Sequence, residues 1–253
     1  WSSDRVLFRS QSDRIMISHI TSTSDAAMYG VAYNLAMILT FVLNAINGSY
    51  VPWLYGKIKK NNAQDNKSIS LILIMLMGLI ILCVIWYAPE IILIMAGKQY
   101  SVAIYVVAPV SMSLLLLFYS QLFINIEFYY EEKKMLVYGS IGAAVLNIIL
   151  NGLLIPIFGF VAAGYTTLIS YIVFALSNYY TMRLMLKKRK LDDDMYDYKL
   201  LLLLFVAFMI SGFLGVSLYG NLILRILITL VVFGLLVINK NKFIDALKKI
   251  KER

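Results

Sequence analysis

Between Met135 and Met182 the chain runs for 48 residues without one Asp, Glu, Lys or Arg. Such a run belongs in lipid, where roughly 20 apolar residues span the hydrocarbon as one helix. It is therefore two spans, divided where the chain reads IPIFG and Pro156 and Gly159 punctuate it. Residues 26–56, 68–89 and 99–126 are also charge-free, and 200–239 holds only Arg225, with a turn signal at Tyr219-Gly220-Asn221. Seven spanning helices are predicted, at about 26–50, 68–88, 99–125, 135–154, 160–182, 200–219 and 222–239. Composition agrees: 61% apolar and 15% charged side chains, where soluble domains average about 45–50% and about 25%. The fold class expected is all-α integral membrane.

One Cys (Cys83) and one His (His19) exclude a disulfide framework, a Cys/His metal cluster and a His-based catalytic set. No paired intramembrane carboxylates and no Gly-rich phosphate loop are present, so the chain is not read as an enzyme.

The net charge of +9 is a topology signal. With seven spans, 18 of the 23 Lys and Arg fall on one side: Lys57, Lys59, Lys60, Lys67, Lys133, Lys134, Arg183, Lys187, Lys188, Arg189, Lys190, Lys199 and six in the tail from Lys240. Only Arg5, Arg9, Arg14 and Lys98 fall on the other. Positive charge marks the cytoplasmic side, which puts the C-terminus inside and residues 1–25 outside. The same asymmetry removes the reason to invoke nucleic acid as a partner.

The N-terminus has no initiator Met or signal peptide, and Ser3-Asp4-Arg5 is echoed by Ser12-Asp13-Arg14. Residues 1–10, with VLFRS at 6–10, are read as non-native, and the chain is expected to be a fragment.

Polar groups at membrane depth are costly, so each should face a partner helix or a watery cavity. On the first span Tyr33, Thr40, Asn44 and Asn47 share a face by spacings of seven, four and three, with Asn34 beside them. Ser113, Ser120, Gln121 and Asn125 collect on the third, followed by Glu127, Glu131 and Glu132 against Lys133 and Lys134. Asn147 and Asn151 form an i, i+4 pair on the fourth. Each set reads either as hydrogen-bonded helix glue or as cavity lining, with the first span's stripe the leading cavity candidate. Arg225, the one charge inside a spanning run, sits four residues after the Asn221 turn. Snorkelling to the headgroups is the plainer reading there, with substrate contact the alternative.

Asp192-Asp193-Asp194 superficially matches the Asp-x-Asp that holds a metal on a nucleotide sugar. It follows KKRK at 187–190 in a 17-residue loop and reads better as a solvated linker. The tail from Lys242 to Arg253 puts Phe243, Leu247 and Ile250 on one face, a basic helix for an anionic lipid surface.

The ordered strings SDRIMIS (12–18), YGVAYNLAMIL (29–39), VPWLYGKI (51–58), APEIILIMAGKQY (88–100) and NIILNGLLIPIFGFVAAGYTTLISY (147–171) give the chain a resemblance to a known family. It resembles the C-terminal half of the polysaccharide flippases, within the multidrug/oligosaccharidyl-lipid/polysaccharide exporter superfamily. The resemblance covers 11 to about 182 well and the rest by helix count, with Asn147–Tyr171 the most specific part. Ala162 and Gly164 stand where the family tends to show Gly and Ala.

The resemblance implies one lobe of a 12–14-helix, two-lobe flippase or antiporter fold working by alternating access. Residues 11–182 would be the C-terminal transport lobe, made of the end of a seventh helix plus five spanning helices, with 183–199 a charged cytoplasmic loop, 200–239 two extra helices and 240–253 a basic cytoplasmic tail. It implies a missing N-terminal lobe as partner and the bacterial cytoplasmic membrane as location. The substrate implied is an undecaprenyl-diphosphate-linked oligosaccharide for O-antigen, capsule or exopolysaccharide, moved to the outer leaflet by ion-coupled exchange. No cofactor is implied beyond a coupling proton or sodium ion. The residues placed on the substrate path are Asp13 and Arg14 of the matching SDR, with Asn34, Thr40, Asn44, Asn47, Asn147, Asn151 and Arg225 from the polar positions above. Two other readings stay open: a multidrug or metabolite antiporter of the same superfamily, and a polyprenyl-linked membrane glycosyltransferase.

Overall fold

A computed structural model describes residues 12–60, 62–132, 134–191 and 194–238. Among them the ordered structure is helical and contains no strand. That is what lipid demands, since a helix satisfies every backbone N–H and C=O within its own segment. After α1 (12–20) come α2 (Thr23–Lys59), α3 (Asn66–Trp86), α4 (Ala88–Ala96), α5 (Ile104–Tyr129), α6 (Lys134–Phe158), α7 (Val161–Lys188), α8 (Tyr198–Ser217) and α9 (Leu222–Ile238). Among the described residues six segments are long and apolar enough to cross a bilayer: Thr23–Lys59, Ala63–Trp86, Lys98–Tyr129, Val137–Phe158, Val161–Lys188 and Tyr198–Ser217. The chain is a multi-pass, all-α membrane protein. The seventh expected span, α9, has 17 residues, at the lower edge of the roughly 17–25 that a spanning helix needs.

Several boundaries move from their expected places. Residues 12–20 are helical, and Asp13 is only 1% exposed, so this stretch packs against other helices. α2 has 37 residues, and α7 continues to Lys188 into the expected loop. Charges at a span's end do not stop a helix once it has left the hydrocarbon. α6 runs through Pro156 to Phe158, and the break falls at Gly159, whose φ of +70° suits glycine. α4 carries Pro89 in its first turn and closes on Gly97 at φ +87°, a short helix where a plain loop was expected. Residues 1–11 with VLFRS, Lys133, Asp192, Asp193 and the tail from Asn239 lie outside the described residues.

The described chain forms two compact units, each discontinuous in sequence. The first joins residues up to Phe41 with Tyr87–Met182, and the second joins Val42–Trp86 with residues from Arg183 onward. A sequential lobe over 11–182 followed by an appended helix pair is the arrangement expected from sequence.

In the first unit α5 is the core: every residue from Val106 to Glu127 is buried. α7 lies tightly on it, and a Cβ at Gly164 would come within 3.0 Å of Pro109 Cγ and 3.3 Å of Val106 Cγ1. α6 instead leaves Ile141, Val145, Ile149, Leu153 and Ile157 exposed, the surface a helix presents to acyl chains.

In the second unit α3 packs on α8 through glycine. A Cβ at Gly78 would sit 2.3 Å from Phe208 Cζ, and one at Gly215 only 2.2 Å from Trp86 Cδ1. Small residues permit such close approach between membrane helices. Trp86 Nε1 also donates to the Ser211 carbonyl at 3.2 Å.

The connection from α7 to α8 is tied down in this second unit. Tyr50 donates to Asn66 Oδ1 at 2.7 Å, and Asn66 Nδ2 donates to the Met195 carbonyl at 3.1 Å. Tyr196 lies buried beside Tyr50, and burial pushes its phenol pKa up. Lys67 and Asp194 pair at the surface, and Asp197 caps α8 by accepting from Leu200 N at 3.1 Å.

Candidate functional site

The only described acid of α1, Asp13, is the hub of the first unit's polar interior. Three helices send donors to it. Tyr29 of α2 donates to Oδ2 at 2.7 Å, Asn151 Nδ2 of α6 to Oδ1 at 2.7 Å, and Thr167 of α7 to Oδ2 at 3.1 Å. A second layer orients the first. Asn147 Nδ2 reaches Thr167 Oγ1 at 3.4 Å, Asn151 Nδ2 also approaches Asn147 Oδ1 at 3.4 Å, and Thr166 donates to Asn151 Oδ1. Asn151 and Thr166 have no exposed surface at all.

A carboxylate is tolerated in such a place only when donors replace its water. Charge-assisted bonds are about twice as strong as neutral ones, so an ionised Asp13 would bind its three donors more tightly than a neutral acceptor could. A cavity of about 10 Å³ adjoins the cluster between Asp13, Tyr33, Met37, Ser113, Thr167 and Tyr171, room for about one water. The cluster offers carboxylate, amide and hydroxyl oxygens, a hard donor set suited to a small hard cation or a proton and unsuited to soft transition metals. Among the described residues no group of three or more His, Cys, Asp or Glu could hold a metal.

Arg14, one residue along α1, turns to a different face. Its guanidinium donates to Asn34 Oδ1 at 2.8 Å and to the Gly30 carbonyl at 3.2 Å, and it lies 5.8 Å from the centre of the Tyr33 ring. Gly30 makes room: a Cβ there would lie 3.3 Å from Arg14 Cζ. Arg14 is half-buried and Asn34 exposed, so this cation and amide can meet a ligand that Asp13 cannot.

The structure thus brings Asp13, Asn147 and Asn151 together and pairs Arg14 with Asn34. It does not gather the first span's stripe. Tyr33 and Thr40 are buried, Thr40 donates to the Met37 carbonyl of its own helix at 2.6 Å, Asn44 is exposed and Asn47 half-buried. Arg225 does not snorkel outward. It is 2% exposed and donates to the Trp86 carbonyl at 2.5 Å and the Tyr219 carbonyl at 3.2 Å. A cation on carbonyls beyond a helix's last turn also opposes the negative end of the helix dipole. It lines a cavity of about 180 Å³ with Trp86, Ser211, Leu214, Gly215 and Ile228.

Tyr29, Thr166 and Thr167 are the cluster members that sequence reasoning passed over. The signal was there: Thr166-Thr167 follows Gly164 within the charge-free run that opens on Asn147 and Asn151 at i, i+4 spacing. Compared with known protein families, curated proteins and solved structures, the chain matches none.

Proposed function

We propose that this chain serves polysaccharide biosynthesis, as part of a transporter that flips an undecaprenyl-diphosphate-linked oligosaccharide across the bacterial cytoplasmic membrane, with its C-terminus inside. The observation that carries the reading is the Asp13 cluster: a buried carboxylate held by Tyr29, Asn151 and Thr167 in an otherwise charge-poor set of membrane helices. An intramembrane acid is costly and marks an ion or substrate path. The ordered motif resemblance supplies the substrate class.

A diphosphate with several sugars cannot cross roughly 30 Å of hydrocarbon unaided, so the path needs cationic and amide donors. Arg14 with Asn34 offers one such pair for phosphate, and Asn44 an amide for sugar hydroxyls. Asp13, reached from three helices, is the group through which a coupling proton or sodium would act. The movement of these helices against one another would then depend on the ion. The antiporter and glycosyltransferase readings predict different losses.

The test is made in a bacterium whose surface glycan depends on this locus. Asn44→Leu should cut surface glycan and leave lipid-linked oligosaccharide facing the cytoplasm, with the chain at its normal level in the membrane. Normal export by that variant refutes the cavity assignment. Loss of cationic-dye efflux with intact surface glycan transfers the chain to the antiporters. Alanine at both Asp192 and Asp194 should leave flipping intact, whereas a glycosyltransferase using them would be abolished.

A further inference from the structure

Near the C-terminal end of α5 lies a second buried acid, on which the Asp13 cluster does not draw. Glu127 is 2% exposed. Its Oε1 contacts the hydroxyl of Thr181 on α7, and its Oε2 is buried with no hydrogen-bond partner. Among the described side chains it forms no ion pair with a Lys or Arg. A further acid, Glu132, follows in the turn after α5. The Glu132 N–H bonds to the Glu127 carbonyl at 2.9 Å, which fixes that turn against the buried acid.

Thr181 has two oxygens within reach of its hydroxyl, Glu127 Oε1 and the Asn178 carbonyl. A threonine hydroxyl carries one proton. Thr181 Oγ1 lies 3.1 Å from the Asn178 carbonyl, one turn back on its own helix, and also against Glu127 Oε1. A carbonyl can only accept, so a proton directed to Asn178 leaves the second contact to be filled from the carboxyl. That order gives an unbroken chain, Glu127 O–H to Thr181 Oγ1 and Thr181 O–H to the Asn178 carbonyl. It also leaves Oε2 as a neutral carbonyl oxygen, far cheaper to bury without a partner than half of an ionised carboxylate.

We propose that Glu127 is a proton-carrying site, protonated in this state and donating to Thr181. Release is a simple ionisation: the O–H bond breaks, its electron pair stays on the carboxylate, and the proton passes to water or to Glu132 once water reaches the α5–α7 contact. Protonation stands on this geometry alone, while its use to drive transport rests on the function proposed above.

Infrared difference spectroscopy on the purified full chain in lipid nanodiscs tests this without any transport assay. At neutral pH the wild type should show a protonated-carboxyl C=O band that Glu127→Gln removes and Asp13→Asn retains. Absence of the band, or its survival in Glu127→Gln, overturns the proposal. Should Glu127→Gln fail to fold, Thr181→Val carries the test: removing the acceptor should shift the band, and an unmoved band overturns the assignment. A chain that flips no glycan but shows the Glu127 band refutes the function and keeps the proton site.

Discussion

The two units hold their helices together by different means. In the first, α1, α2, α6 and α7 meet through side-chain hydrogen bonds that converge on Asp13. In the second, α3 and α8 meet backbone to aromatic ring at Gly78 and Gly215, and Arg225, the one charge inside the charge-poor run 200–239, rests on two carbonyls. Lipid gives no hydrophobic force between helices, so both devices are needed: polar ties and close packing. They differ in what they permit. Glycine packing has one good fit. A hydrogen-bonded hub can change partners or protonation without losing its shape, which is what a moving or ion-binding region requires.

The largest effect should come from removing the hub. Asp13→Ala deprives Tyr29, Asn151 and Thr167 of their acceptor. Interhelical bonds in membranes average about 0.6 kcal/mol each, and orphaned buried donors cost about 1–3 kcal/mol, so a loss of about 2–4 kcal/mol is expected. Asp13→Asn keeps one acceptor oxygen and should lose clearly less. Thermal unfolding in detergent, read for both variants, checks the order. Equal losses would mean that the ties to Asp13 do not hold the unit.

That hub was half legible in the sequence. Asn147 and Asn151 stand out because lipid leaves few polar residues and each needs a reason, whereas Asp13 enters only through the SDR string of the resemblance. Their partners do not stand out, because helical periodicity says which residues share a face and not which helix comes to meet it. Tyr29 and Thr167 are unremarkable until α2 and α7 close on α1. The spans themselves were plain, since charge-free runs are set by the bilayer. Their ends were less so, and α2 and α7 run on past their first charges. The residues of the Tyr33–Asn47 stripe are divided between the two units. The division between the units falls between Phe41 and Val42, so one continuous face has different neighbours on either side. Arg225 misled because its place in the chain allows snorkelling, and only the structure shows the carbonyls of Trp86 and Tyr219 within its reach.

The packed unit should break at Gly215. An alanine Cβ there meets the Trp86 ring, which cannot swing aside freely because its Nε1 is bonded to Ser211. Overpacking typically costs about 1–3 kcal/mol. Gly215→Ala should therefore raise hydrogen exchange in α3 and α8 while α6 keeps its protection. Gly152→Ala on α6, with nothing within 4 Å of the added Cβ, is the control and should be neutral or slightly stabilising. Matching losses in the two variants would remove the distinction drawn for α3 and α8.

The smallest effect belongs to the surface pair of Lys67 with Asp194, although it is the most conspicuous contact of the α7–α8 connection. Both side chains are a third to a half exposed, and exposed pairs contribute at most about 1 kcal/mol, screened by salt. One residue earlier, Asn66 has no exposed surface and ties Tyr50 to the Met195 carbonyl. Lys67→Ala should therefore leave protease cleavage in the connection within about threefold of the wild type and abolish any salt dependence. Asn66→Ala removes the acceptor of the buried Tyr50 phenol, leaving it only the Tyr196 hydroxyl at 3.4 Å, and the donor to the Met195 carbonyl, and should expose the same connection to cleavage much more. If Lys67→Ala were the worse of the two, the connection would be held from its surface, and the second unit would share the first one's dependence on charge.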